Sequence, residues 1–465
     1  MRIRPSFYLF LAVLLLALAA CRPPDEQGTS QRSEQPRERP LASQGHIVYV
    51  GKESSIYTIR PDGTDSRLVA TSLNVPAGTG GRERSLTLHT WPTWSPDGKF
   101  LSFSTVSLVG RSSLTVELKT TSLDGRILRS FYENPPSTQP FIGQNIPHYV
   151  QWSPDSQHLA FLAMTEEGVS LFVRSLGTEE PARRLMSGAP LYIAWSPDGT
   201  QLLIHAQERL LVADLPSLKT TPVSNNATTF RVPGWSRDGQ SMAFLHEAQD
   251  GSHSLLIANR TGEDKRLIQT GLKGAAFLWS PTSPAMAVAV QDNPDSVVYS
   301  RLEIQKAQGS GTTSLAEGEI LAFFWSPDGK RLAYVTLDSE RRTFNWWIVN
   351  SDGSGRRVLS EFIPSQELLS LFAFFDQYAH SNSFWSPDSR YLVFAGRLTR
   401  AGGSASPHSE GAPSQRFVSI STSGNGSSPE AEAQTPQNKV YVIDSTGREA
   451  PRELAEGSLA FWSPK

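Results

Sequence analysis

Cysteine is almost absent: the 465 residues hold one, Cys21. A single thiol excludes an internal disulfide framework, a zinc cluster built on thiolates and a CxxC redox pair. Charge of one sign is lacking as well, since 43 Lys and Arg stand against 45 Asp and Glu for a net charge of −2. No whole-chain field therefore draws nucleic acid, which needs a basic face or stripe to displace counterions. Basic tails, acidic tails and polybasic membrane patches are missing too. Catalytic signatures do not appear either. There is no Gly-x-Ser-x-Gly elbow, and His246-Glu247 is not followed by a His at helical spacing, which removes a HExxH zinc site. Gly309-Ser310-Gly311 and Gly353-Ser354-Gly355 lack the Lys of a phosphate-binding loop and read as turns. Asp62-Gly63-Thr64-Asp65 lacks the remaining ligands of a calcium loop and reads as a hairpin turn. No catalytic residue, metal or cofactor is expected, and nothing points to an oligomer, so a monomer is expected.

What is present is enough apolar material to fold: 38% hydrophobic and 9% aromatic, with 35 Gly and 32 Pro marking many turns. The length suits a large core or two to three domains of about 100–200 residues. Arg2 and Arg4 precede an apolar run from Phe7 to Ala20, broken in character only by Tyr8. That run is short of the roughly 20 residues a spanning helix needs and fits a signal peptide. It ends in Leu18-Ala19-Ala20-Cys21, which resembles the bacterial lipobox. The resemblance implies removal of residues 1–20 and a diacylglyceryl thioether on Cys21. Two or more acyl chains hold a protein stably on a membrane, so the lipid makes the membrane a partner and the location extracytoplasmic, on the cell membrane or outer membrane. Residues 21–44 carry no aromatic and only Leu41 and Ala42 as apolar residues after Cys21. Such a stretch cannot form a core and reads as a disordered tether, its ends about 25 Å apart.

The remaining sequence repeats. Eight of the eleven tryptophans are followed by Ser: Trp94, Trp152, Trp195, Trp235, Trp279, Trp325, Trp385 and Trp462. Pro-Asp-Gly follows at Pro96, Pro197 and Pro327, Pro-Asp-Ser at Pro154 and Pro387, and two copies drift to Arg237-Asp238-Gly239 and Pro281-Thr282-Ser283. Ser-Pro-Asp-Gly suits a type I turn closed by a left-handed residue. Apolar residues stand seven and nine positions beyond each Trp, as in Leu101/Phe103, Leu202/Ile204 and Leu332/Tyr334. A spacing of two puts both on one face of a strand. A third strand (Ile56–Ile59, Leu171–Val173, Trp346–Val349) and a short basic-apolar fourth (Arg67-Leu68-Val69, Arg266-Leu267-Ile268) complete a unit. Four short antiparallel strands make one propeller blade. Ile47/Tyr49 stand where Leu101/Phe103 stand in the next unit, and Leu459–Trp462 supply a first strand. The expectation is an all-β propeller of eight four-stranded blades spanning 45–465, closed by pairing of the two terminal segments; seven blades is the competing count, should one drifted unit not form a sheet.

The repeated WSPDG unit is similar to the TolB-type β-propeller repeat over about residues 45–465. The resemblance implies an envelope protein that binds proteins or ligands at the faces and channel of a disc. Departures from TolB itself are the lipid anchor and the larger number of units. No Trp-Asp dipeptide of the WD repeat and no sialidase Asp-box order occurs.

Loops on a rigid scaffold carry function, so the inserts matter. Leu73–Thr90, with Gly78-Thr79-Gly80-Gly81, is expected to be mobile, and Ala401–Asn438, rich in Gly, Ser and Pro, to be a disordered spacer splitting the last unit. Phe362–Tyr378 is too apolar to hang in water; it is either packed on or into the disc, or a partner-binding knob presenting Leu368, Leu371, Phe372 and Phe375. Residues just before each Trp are expected nearest the channel, where His89, His148, Arg231 and His380 form a candidate site for an anionic or sugar-like ligand. The leading functional expectation is a cell-envelope lipoprotein whose non-catalytic propeller binds a protein or small ligand. The alternative is a lyase or hydrolase acting on polysaccharide or peptide in the channel through His148, Arg231 and His380.

Overall fold

The computed structural model describes residues 41, 45–76, 84–110, 113–123, 128–133, 149–165, 167–215, 217–227, 231–308, 311–399 and 437–465. Cys21 with its lipobox, most of the tether, His148 and most of the 401–438 insert lie outside the described residues. The chain is all-β and built as a propeller: antiparallel strands of mostly four to ten residues follow one another, and consecutive strands pair.

One register repeats without a slip. Seven of the eight tryptophans lie opposite the residue seven positions on: Trp94 faces Leu101, Trp152 Leu159, Trp195 Leu202, Trp235 Met242, Trp279 Met286, Trp325 Leu332 and Trp385 Leu392. The eighth pair joins the two ends of the chain, with Trp462 opposite Ile47 and Leu459 opposite Val50. The residues seven and nine beyond each Trp are buried, as sequence spacing requires, and Leu101, Phe161, Ile204, Val288, Tyr334 and Phe394 are each at most 1% exposed. Burying such a side chain contributes about 1.5–3 kcal/mol, so the repeated pair is the main adhesive between neighbouring sheets.

The turn chemistry is equally regular. In six turns the Ser hydroxyl donates to the Asp carboxylate two residues on, at 2.5–2.7 Å, and accepts from the backbone amide five residues on. The Ser236 hydroxyl and the Gln240 amide thereby hold the Asp238 carboxyl below the usual carboxylate range. The closing residue is left-handed, as at Gly98 (φ 71°) and Gly199 (φ 70°). Ser156 (φ 60°) and Ser389 (φ 63°) take the same strained conformation without being Gly. Each is compensated: its hydroxyl accepts, at 3.0 Å, the backbone amide of Asp97 or Asp328 in the preceding unit's turn.

A second thread runs between units. The indole N–H of Trp152 donates to the carbonyl of Thr93, that of Trp195 to Gln151, Trp235 to Ala194, Trp279 to Gly234, Trp325 to Leu278 and Trp385 to Phe324, at 3.1–3.4 Å. Every acceptor is the residue just before the preceding unit's Trp. Trp94 continues the rule across the termini, donating to Phe461 at 3.4 Å. Trp462 departs from it: its Nε1 is buried without a partner among the described residues, while its backbone amide donates to the Ser383 carbonyl at 2.9 Å.

Two inserts take ordered forms. Leu73–Thr90 is not simply a loop: Leu73–Val75 is a strand pairing with the first residues of the long strand Ser85–Trp94. Phe362–Tyr378 leaves a strand at Pro364 and forms two helices, Gln366–Ala373 and Phe375–Tyr378. Ser365 starts the first by accepting the Leu368 amide on its hydroxyl at 3.1 Å, and Glu367 favours the positive end of that helix.

Candidate functional site

Seven of the repeat tryptophans, all but Trp195, converge with five turn residues (Pro96, Pro197, Pro281, Pro327 and Pro464) on one cavity of about 620 Å³. The size lies in the range of small-molecule pockets. Its wall is apolar for a specific reason. The indole N–H groups that could have met a ligand are already bonded to backbone carbonyls in all the lining tryptophans except Trp462, whose nitrogen is buried. What the tryptophans turn inward is ring carbon. The floor is the segment Ala379–Phe384, which follows the two helices.

His380 is the titratable group of that floor. Its ring is open to the cavity, yet protein encloses the site, and burial pushes its pKa down to about 4. It is therefore an uncharged imidazole at neutral pH, able to donate at one nitrogen and accept at the other. Arg237 is the charged side chain among the lining residues. It stands, exposed, where other turns carry Pro, and its guanidinium donates to the Pro281 carbonyl of the next turn.

Deeper inside, the inserted helices turn their apolar face to the wall. Phe375 packs on Phe323 with centroids 4.8 Å apart and on Tyr299 edge-on at 6.0 Å; Phe372 meets Trp346 edge-on at 5.6 Å; Tyr378 stacks on Trp91 at 4.9 Å. Among these contacts sits one acid. Burial raises the Asp376 pKa, opposed by the charge of Arg231 and by amide hydrogen bonds from Val232 and Gln377. Arg231 in turn donates to Gln291 Oε1 at 3.0 Å.

Of the four residues expected to hold a ligand, His148 lies outside the described residues, and the other three are not brought together. His89 is 5% exposed with both ring nitrogens engaged, Nδ1 with Thr105 Oγ1 and Nε2 with the Thr71 carbonyl, each at 3.0 Å. A register break between Thr90 and Thr93, with Trp91 at φ 54°, re-aims the strand ahead of the Trp, so His89 is a structural residue. Arg231 sits beside Asp376, and His380 lines the tryptophan cavity. Leu368, Leu371, Phe372 and Phe375 are at most 1% exposed. They do not form a partner-binding knob, because their apolar surface is consumed within the chain. The large apolar side chain of that run left exposed is Phe374, at 49%. Sequence reasoning missed Arg237 and Asp376. The available signals were the loss of Pro from one turn and a lone acid in an apolar run.

Among the described residues no group of His, Cys, Asp and Glu is arranged to hold a metal ion, and no helix is long and apolar enough to cross a membrane. Residues 144–362 match the family profile described as the TolB beta propeller domain. Over that span the chain is similar to the TolB-type β-propellers. Its likenesses to individual proteins are distant. It is 24% identical over 177 residues to an uncharacterized peptidase of Bacillus subtilis (strain 168), YuxL, covering 38% of this chain. The match spans 23% of that relative, about a quarter of its length. Among solved structures, the putative TolB of Agrobacterium tumefaciens is 16% identical, with 69% of this chain and 89% of that one covered at a TM-score of 0.33. The oligogalacturonate lyase of Vibrio parahaemolyticus is 13% identical, with coverages of 67% and 78% and a TM-score of 0.43.

Proposed function

We propose that this TolB-type propeller is a cell-envelope lipoprotein, anchored outside the cytoplasmic membrane through lipid on Cys21, that binds a ligand or protein partner without catalysis. The tryptophan- and proline-walled cavity carries this reading: it is a largely apolar site of ligand size whose titratable side chains are an uncharged imidazole and a guanidinium. Neither is paired with a nucleophile there. Eight blades in a ring, sealed by the pairing of Ile47–Val50 with Leu459–Trp462, are part of the proposal. The unbroken Trp register and the Trp94–Phe461 hydrogen bond support it.

The test of the anchor is metabolic labelling of the full-length chain with an alkyne-bearing palmitate. Label is expected on the wild type and none on Cys21→Ala; an unlabelled wild type in a lipoprotein-processing host overturns the anchor. A channel enzyme remains the second reading, favoured by the buried Asp376 beside Arg231. Turnover of a polysaccharide or peptide library that disappears in Asp376→Asn, with folding unchanged, would replace the binding reading with that one.

A further inference from the structure

The cavity combines an apolar wall with two titratable side chains. At the floor stands His380, uncharged at neutral pH, and the wall is indole and pyrrolidine carbon. At the mouth the repeat breaks its own rule: the turn that reads Trp235-Ser236-Arg237-Asp238-Gly239 carries Arg where Pro96, Pro197 and Pro327 stand elsewhere. The backbone does not require this, since Gly239 closes the turn at φ 66° like its Pro-containing counterparts. The guanidinium reaches across to the Pro281 carbonyl, which fixes it at the rim through one of its five N–H groups. It forms no ion pair with a carboxylate among the described residues; the adjacent Asp238 is instead held by Ser236 and Gln240. A fixed cation at the entrance to an apolar chamber recognises one kind of molecule.

We propose that the cavity takes an amphipathic organic acid, its apolar ring or acyl body against the tryptophans and its anionic head on Arg237. This rests on the cavity being a ligand site. A neutral sugar leaves the Arg237 charge without a counter-charge. An organic cation meets the wrong charge at the mouth. The head group gains a charge-assisted hydrogen bond to a guanidinium already held in place.

Two dyes of one skeleton test it on the full-length chain: 8-anilinonaphthalene-1-sulfonate, which carries the anion, and N-phenyl-1-naphthylamine, which does not. Both are expected to quench the cavity tryptophans, the sulfonate binding about tenfold more tightly. Arg237→Pro restores the residue that the other turns use and should fold. It is expected to abolish that preference while leaving the neutral dye unchanged. Equal affinity of the two dyes, or a preference that survives Arg237→Pro, overturns the inference while leaving the cavity a ligand site. Ala379→Phe narrows the floor and is expected to weaken both dyes. Absence of quenching by either dye, or binding untouched by Ala379→Phe, overturns the cavity as a site and the inference with it.

Discussion

The wall of this propeller and the segment inserted into it are held together differently. The wall repeats one solution: a Trp whose indole reaches the previous unit's carbonyl, a Ser-Asp turn that satisfies itself, and a buried pair seven and nine residues on. The insert, Pro364–Asn382, is a single use of single residues: one Ser cap, one acid beside Arg231, and aromatic rings fitted to Trp91, Tyr299, Phe323 and Trp346. Repetition spreads stability over many equal bonds, whereas the insert concentrates it in a few side chains without a counterpart. The wall therefore tolerates drift, as at Arg237 and Thr282, and the insert determines what the interior can hold.

The largest break of this contrast is Phe372→Ala. The ring is fully buried between Trp346, Phe324 and Phe384, and its loss is expected to destabilise by about 3–5 kcal/mol. Urea unfolding measures it. A drop under about 1 kcal/mol would mean that the helices are not integral to the core.

Next come two substitutions in the wall. Trp195→Phe leaves the Gln151 carbonyl without its 3.2 Å donor. Trp462→Phe removes an N–H that had no acceptor among the described residues. The volume change is the same, so Trp195→Phe should be worse by about 1–3 kcal/mol. Equal losses would show that the indole hydrogen bonds add nothing.

Acid sharpens the comparison further. His380 titrates near pH 4 when folded, against 6.5 for its ordinary value. Between those values the unfolded chain takes up a proton that the folded chain refuses, so stability falls as pH drops through that window. Burial lowers His89 and His205 in the same direction. His380→Gln should shrink the gap in Tm between pH 7 and pH 5; an unchanged gap assigns the acid sensitivity to the wall histidines instead.

Smallest is a pair at one turn. Ser156→Gly relieves a left-handed residue but loses the Asp97 amide bond, and the two roughly cancel. Ser156→Ala keeps the strain and loses the bond, for about 1 kcal/mol. Thermal melts that rank Gly below Ala would contradict the compensation.

The wall was legible because its signals are local and repeated. A Trp and an apolar pair at fixed spacing give strand, face and register together, and the terminal strands followed from where Ile47/Tyr49 fall in the unit. The site was only partly legible. His380 was identified, but in a different setting, since the pattern could not show seven tryptophans converging around it. His89 looked available because alternation carries no information on the register break at Thr90, which leads the ring to Thr71 and Thr105. Leu368, Leu371, Phe372 and Phe375 announced an apolar face truthfully, but no spacing rule says whether such a face meets a partner or the chain's own interior. Asp376 carries meaning only once Arg231 is beside it, and those residues are far apart in sequence.

The pairing of the first and last strands bears on how the chain is made. His46 and Ser463 are hydrogen-bonded although 417 positions apart. At ordinary ribosomal speeds the strand Ile47–Val50 waits on the order of 20–80 s for its neighbour to be synthesised. During that interval one side of a nascent strand is bare, and an open β-edge recruits other chains. Completion of this sheet therefore comes long after its first strand is made, and crowding of unfinished polypeptides, rather than the strength of the finished molecule, sets the hazard its biogenesis must avoid.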